Sequence, residues 1–191
     1  MTLQELTIMG SFLSTHKVFP DERGLFREWF RSEEIATIDP EFKVRQANYS
    51  LSKKSVIRGI HYSLAPEGQA KLVTCASGSI VDVLVDLRVG SPTYLYIEYI
   101  ELAEDSGKVI YIPTGVGHGF VVISDSASVV YLTSSEYAPE FEKSICPTDS
   151  ELGIDWRLPV GQLGIMSTAD INAPTLTEAK KSGDLPNSEG K

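Results

Sequence analysis

Between Gly24 and Glu136 the chain is built of short runs in which apolar and polar residues alternate, each closed by glycine, proline, serine or aspartate. A side-chain period of two belongs to extended strands, and its repetition at short intervals predicts an all-β sandwich or barrel rather than alternating β-α units. The runs are 24–30, 44–51, 55–62, 69–76, 79–87, 94–102, 109–112, 118–123 and 128–136, separated by turn segments such as "SGS" (77–79), "RVGSPT" (88–93), "AEDSGK" (103–108) and "SDSA" (124–127). Only two segments read as helical. One is a short piece near "RSEEIATI"; the other is "TLTEAKKSG", with Thr175 or Thr177 as cap and Gly183 as stop. The expected organisation is one domain over residues 1–175 and a tail over 176–191 that begins as a short helix and then frays.

With 191 residues, 42% of them hydrophobic, the chain is long enough to bury a single sizeable core. A net charge of −9 disfavours a nucleic-acid partner, which needs a basic surface to displace counterions, yet leaves room for a few local cations to hold a diphosphate. Two cysteines, Cys75 and Cys146, are too few for a disulfide framework and predict a reduced, cytoplasmic setting. The start, "MTLQELTIMGSF", lacks the pattern of an export signal, and no stretch approaches a membrane span, so no membrane partner is expected.

Some strands carry side chains that a packed core rejects. In "SIVDVLVDLR", Val81, Val83, Val85 and Leu87 share one face, which reads as core, while Ile80, Asp82, Leu84 and Asp86 share the other. "VRQANYSL" sets Gln46, Asn48 and Ser50 on one face, and Lys71 shares a face with Gln69 and Val73. A polar row on one strand is ordinarily a solvent face. Rows that occur together with a strand histidine and a strand lysine instead suggest the lining of a barrel mouth.

The spacing in "GKVIYIPTGVGH", with Gly107, Pro113, Gly115 and His118, resembles the second signature motif of the cupin superfamily, whose fold is a jelly roll or double-stranded β-helix. In metal-binding cupins the first motif has two histidines one residue apart and then a glutamate. Here Ser63 follows His61 and Tyr62, so a histidine is missing even though Glu67 stands at a glutamate-like distance, and no metal is expected. Taken together, "DERGLFREWF", "QANYSLS", "RGIHY", "QAKLV", "VDLRVGSPT", "IPTGVGHGF", "EYAPEFEKSI" and "LGIDWRLP" resemble the dTDP-4-dehydrorhamnose 3,5-epimerase family in collinear order from Asp21 to Asp170.

That resemblance implies an all-β cupin-type jelly roll with a few short peripheral helices, and an isomerase acting on a dTDP-4-keto-6-deoxyhexose. Inversion beside a ketone needs a base, a cation or donor at the enolate oxygen and an acid on the opposite face, with no cofactor. By resemblance the base is His61, oriented by Asp170, with Lys71 at the ketone oxygen, Tyr131 as the acid and His118 orienting or polarising. Around Asp170 the chain departs from the family pattern, for Ala169 stands where a lysine is common. Arg23 and Arg58 are implied for the diphosphate, and Phe26, Glu28, Gln46, Asn48 and Tyr137 for base and sugar. Strict alternation puts Arg58 and His61 on opposite faces, so both reach one site only if Gly59 marks a bulge. The family also implies a homodimer in which the N-terminal strand, with Arg23, Phe26 and Glu28, serves the neighbour's pocket. The leading reading is epimerisation at both C3 and C5. The alternatives are a C3-only or C5-only epimerase or keto-isomerase of deoxysugar natural-product pathways, and a non-catalytic nucleotide-sugar-binding cupin.

Overall fold

The computed structural model describes residues 2–66 and 68–188. Among these, two antiparallel sheets face one another and a small hairpin stands apart. In spatial order the first sheet holds β1 (Thr2–Glu5), β2 (Phe12–Thr15), β10 (Lys108–Ile112), β7 (Lys71–Ser77), β12 (Ser126–Thr133) and β5 (Gln46–Lys53). The second holds β13 (Glu142–Ser144), β6 (Ile57–Ser63), β11 (Val116–Val122), β8 (Ser79–Asp86) and β9 (Ile97–Ala103). The hairpin pairs β3 (Val18–Asp21) with β4 (Gly24–Arg27). Consecutive β11 and β12 lie in opposite sheets, while β12 pairs with β5 and β7 from far back in the sequence. This is the crossing pattern of the expected cupin-type jelly roll.

Both faces of the central strands are buried, which accounts for their apolar composition. Ile80 and Leu84 of β8 meet Val73 and Cys75 of β7, Ile110 of β10 and Val129 of β12 between the sheets. On its other face, Val81, Val83 and Val85 pack under Trp156, Leu152 and helix α3 (Leu176–Ser182), whose Leu176 and Ala179 are fully buried. The outer face of the first sheet is covered by the N-terminal segment: Trp29, Phe30, Ile38 and Phe42, with Ile35 of helix α1 (Ser32–Ile35), lie over Leu72, Tyr111 and Leu132. The predicted strand 24–30 therefore ends at Arg27, because Trp29 and Phe30 turn into this cover.

Several elements escape the period-two reading. β1, β2, β3 and β13 span three or four residues each, too short to display a period, and the four-residue helix α2 (Thr168–Ile171) was not anticipated. Helix α3 was, and Thr175 is its cap: its side chain accepts from Glu178 N–H, while the Glu178 carboxylate accepts from Thr175 N–H. Gly183 closes the helix at φ +76°. Beyond Gly183, residues 184–188 of the expected tail lie against the body of the domain, and 189–191 lie outside the described residues. Lys143 and Tyr62 hold Asp184, and Val89 exchanges backbone hydrogen bonds with Pro186 and Ser188. Among the described residues no helix is long and apolar enough to cross a membrane.

Candidate active site

At one mouth of the sandwich, apolar filling gives way to polar side chains from both sheets. A cavity of about 530 Å³ is lined by Gln46 and Asn48 of β5, Lys71 of β7, Tyr131 of β12, His61 of β6 and Glu142 of β13, with Gln69, Tyr137, Lys143 and Ser144 at its walls. It continues inward to a recess of about 130 Å³ bounded by Ser50, Arg58, His61, Lys71, His118, Phe120 and Tyr131. On the other side of His61 opens a third space of about 400 Å³, reached by Arg58, Met166, Ala169 and Asp170. His61 borders all three. His61 and Tyr131 stand on opposing sheets.

The conflict between Arg58 and His61 is resolved at Gly59. His118 pairs with His61 and Phe120 with Arg58, so two steps on β11 face three on β6, which is a bulge. Gly59 adopts φ +126°, and a Cβ there would lie 2.5 Å from Gly119 Cα and 2.7 Å from the His118 carbonyl oxygen. Only glycine suits this position. Gly59→Ala is therefore expected to cost about 2 kcal/mol or more, from backbone strain plus overlap with β11. An unchanged urea midpoint for the variant would rule that out.

His61 Nε2 lies 2.7 Å from Asp170 Oδ1. Asp170 is the third residue of α2, which follows the cap Ser167; the Ser167 hydroxyl donates to Asp170 Oδ2 and accepts from Asp170 N–H. Burial pushes the Asp170 carboxyl up, but hydrogen bonds from His61 and Ser167 outweigh it, and the group sits below its ordinary value. An ionised carboxylate only accepts, so Nε2 carries the proton and Nδ1 of His61 is left with its lone pair.

Facing it, the Lys71 side chain is almost wholly buried. Burial lowers its pKa, while the negative charges of Glu142 and Asp82 act in the opposite sense. Burial raises the Tyr131 phenol, opposed by nearby Arg58 and reinforced by Glu142. Burial likewise raises Glu142, with Lys71 and His61 opposing. The recess thus combines an ammonium that is costly to keep charged with a phenol that holds its proton firmly.

Of the twelve residues expected at the site, nine surround these spaces: His61, Lys71, His118, Tyr131, Asp170, Arg58, Gln46, Asn48 and Tyr137. Gln46 is fixed by donating to Asn48 and accepting from Tyr137 N–H, and Arg58 donates to Ser52. The other three lie on or beside the β3–β4 hairpin and line none of these cavities. Arg23 pairs with Asp21, Phe26 is 70% exposed, and Glu28 pairs with Arg31. Glu67 lies outside the described residues. Among the described residues the cluster with metal-ligand spacing is His16, Glu28 and Glu34, none of which lines these spaces. Two acidic residues at the site have no role in the sequence analysis: Glu142, on a three-residue strand with no legible period, and Asp82, placed on a strand face there but carrying the signal of a carboxylate inside the apolar run "VDVLVD".

Residues 5–178 match the family described as dTDP-4-dehydrorhamnose 3,5-epimerase. The dTDP-4-dehydrorhamnose 3,5-epimerase of Mycolicibacterium smegmatis is 43% identical over 187 residues, covering 97% of this chain and 91% of the relative. The dTDP-4-dehydrorhamnose 3-epimerase of Streptomyces niveus is also 43% identical, covering 97% of this chain and 89% of its own length. The solved structure of the dTDP-6-deoxy-D-glucose-3,5-epimerase of Legionella pneumophila Philadelphia 1, in complex with dTDP-4-keto-L-rhamnose, superposes with a TM-score of 0.88 at 34% identity, covering 97% of each chain.

Proposed function

From the premise that this chain belongs to the dTDP-4-dehydrorhamnose 3,5-epimerase family and is an isomerase, we propose that it inverts C3 and C5 of dTDP-4-keto-6-deoxy-D-glucose, giving dTDP-4-keto-L-rhamnose. The observation that carries the residue assignments is the placement of His61 on one sheet, backed by Asp170 of helix α2, and Tyr131 on the other, with Lys71 in the recess that His61 and Tyr131 share.

In this reading Nδ1 of His61 removes the proton from the carbon beside the ketone. The C–H electron pair moves into a carbon–carbon double bond, and charge develops on the C4 oxygen. Lys71 is the cation at that oxygen, and its burial makes its charge count for more than it would in water. The Tyr131 phenol, kept protonated by its surroundings, delivers a proton to the opposite face, and carbon is inverted. Asp170 stabilises the imidazolium formed meanwhile. After each inversion the imidazolium gives its proton to solvent and the tyrosinate regains one from it, which resets both groups for the second carbon; removal and return leave no net redox change.

Arg58, at the junction of the recess and the third space, suits a phosphate oxygen, and the exposed ring of Tyr137 offers a flat surface to a base. We assign Gln46 and Asn48 to sugar or base contacts. The hairpin's exposed Phe26, with Arg23 and Glu28, fits a role in the pocket of a second copy, so a homodimer is part of the proposal. Two unpaired cysteines suit a reducing compartment, and the cytoplasm is the proposed location.

The Streptomyces niveus relative, a 3-epimerase at the same 43% identity, favours one competing reading, inversion at a single carbon. Solvent exchange separates the two. Purified protein with dTDP-4-keto-6-deoxyglucose in deuterated buffer should incorporate deuterium at both C3 and C5, read by NMR. Label at C3 alone would establish the single-site enzyme, and tight binding with no label would overturn the catalytic assignment.

A further inference from the structure

Strand β8 places two aspartates, Asp82 and Asp86, on the same face four residues apart, both with no solvent exposure. They are treated very differently. Asp86 is saturated: Oδ1 accepts from the Arg88 backbone and Nε, and Oδ2 accepts from Arg88 Nη2, Ser91 and Thr93. It ties the 86–93 loop together and is a structural residue. The Asp82 carboxylate takes part in one hydrogen bond among the described residues, 2.7 Å from Oδ2 to Nε2 of His118, and its Oδ1 is buried with no hydrogen-bond partner among them. Leaving a buried carboxylate oxygen unsatisfied is costly, so a carboxylate here points to a role outside packing.

His118 gives that role. It pairs directly with His61 across the β6–β11 ladder and borders the recess with Lys71 and Tyr131. With Asp82 as acceptor, Nε2–H of His118 is engaged and Nδ1 is the ring nitrogen left to turn to a ligand. The two adjacent strands thus hold a repeated arrangement, His61 on Asp170 and His118 on Asp82, each histidine engaged at Nε2.

Resting on the epimerase reading above, we infer that Asp82 is a positioning residue for the reaction: it locks the orientation and tautomer of His118 so that Nδ1 meets an oxygen of the keto-sugar beside the reacting carbon. Asp82 touches no substrate itself. Its effect passes wholly through His118, and that makes the inference testable by coupling.

Asp82→Asn keeps the shape and changes the partner atoms. Expected is a fall in kcat on the order of 10- to 100-fold, as for other groups that orient a functional histidine, with KM within about threefold. In a His118→Ala background the same substitution should cost nothing further. A full additional loss there, or an Asp82→Asn kcat within twofold of wild type, overturns the inference. Should Asp82→Asn fail to fold, the wild-type protein still decides the matter. Long-range ¹H–¹⁵N NMR of the imidazoles should show the neutral His118 ring as the Nε2–H tautomer, and the Nδ1–H tautomer would overturn it. The epimerase reading fails separately, through absence of wild-type deuterium exchange, whatever the tautomer.

Discussion

His61→Ala is expected to abolish deuterium exchange at C3 and C5 together, with a loss on the order of 10³-fold or more and little change in stability. This follows from the proposal that one base serves both carbons: among the described residues, His61 alone borders the outer cavity, the inner recess and the space toward Asp170. A general base contributes about 10²- to 10⁴-fold. The loss should sit near the upper end here, since Lys71 and Tyr131 lie across the recess from the imidazole and neither is placed to replace it. The fold should survive because the His61 side chain is 44% exposed and anchors no apolar cluster. Its removal would leave Asp170 with its Ser167 hydrogen bonds intact. The outcome that would dismiss the base assignment is exchange in His61→Ala at a rate near wild type. Loss at one carbon with retention at the other would require a second base.

How far the sequence carried this reading depended on how local each cause is. The central strands were legible because alternation is a property of a single strand: Val81, Val83 and Val85 pack exactly where their spacing put them, on one face of β8. The capped helix α3 was legible for a similar reason, since Thr175, Glu178 and Gly183 are short-range signals. The bulge at Gly59 was suggested only by the need to unite Arg58 with His61, and its cause, the close approach of Gly119, belongs to another strand. Asp170 was visible through resemblance alone, because α2 is four residues long and the partner it serves is more than a hundred residues away. Glu142 and the role of Asp82 depend on which strands become neighbours, and periodicity does not encode that.

Lys71→Met is expected to separate activity from stability. The substitution keeps the length of the side chain and removes the charge, so turnover should fall by about 10²- to 10³-fold or more, the cost of losing a preorganised group at a developing oxyanion. Stability should hold or rise. The ammonium is almost wholly buried and its pKa is lowered by that burial, so the native state at neutral pH carries a penalty for keeping it charged. The sign follows from proton counts. As pH rises through the depressed native value toward the ordinary lysine value, the native state sheds a proton that the unfolded chain keeps, and wild-type stability gains. In Lys71→Met that gain should vanish. The same depression should bring the alkaline limb of kcat/KM below the ordinary lysine range. Glu142 loses a favourable charge in the variant, but burial already raises it toward the neutral form, and adding Glu142→Gln should remove any residual cost. Turnover by Lys71→Met within tenfold of wild type would defeat the oxyanion assignment. A melting temperature well below wild type that Glu142→Gln does not restore would mean that Lys71 holds the recess together instead of straining it.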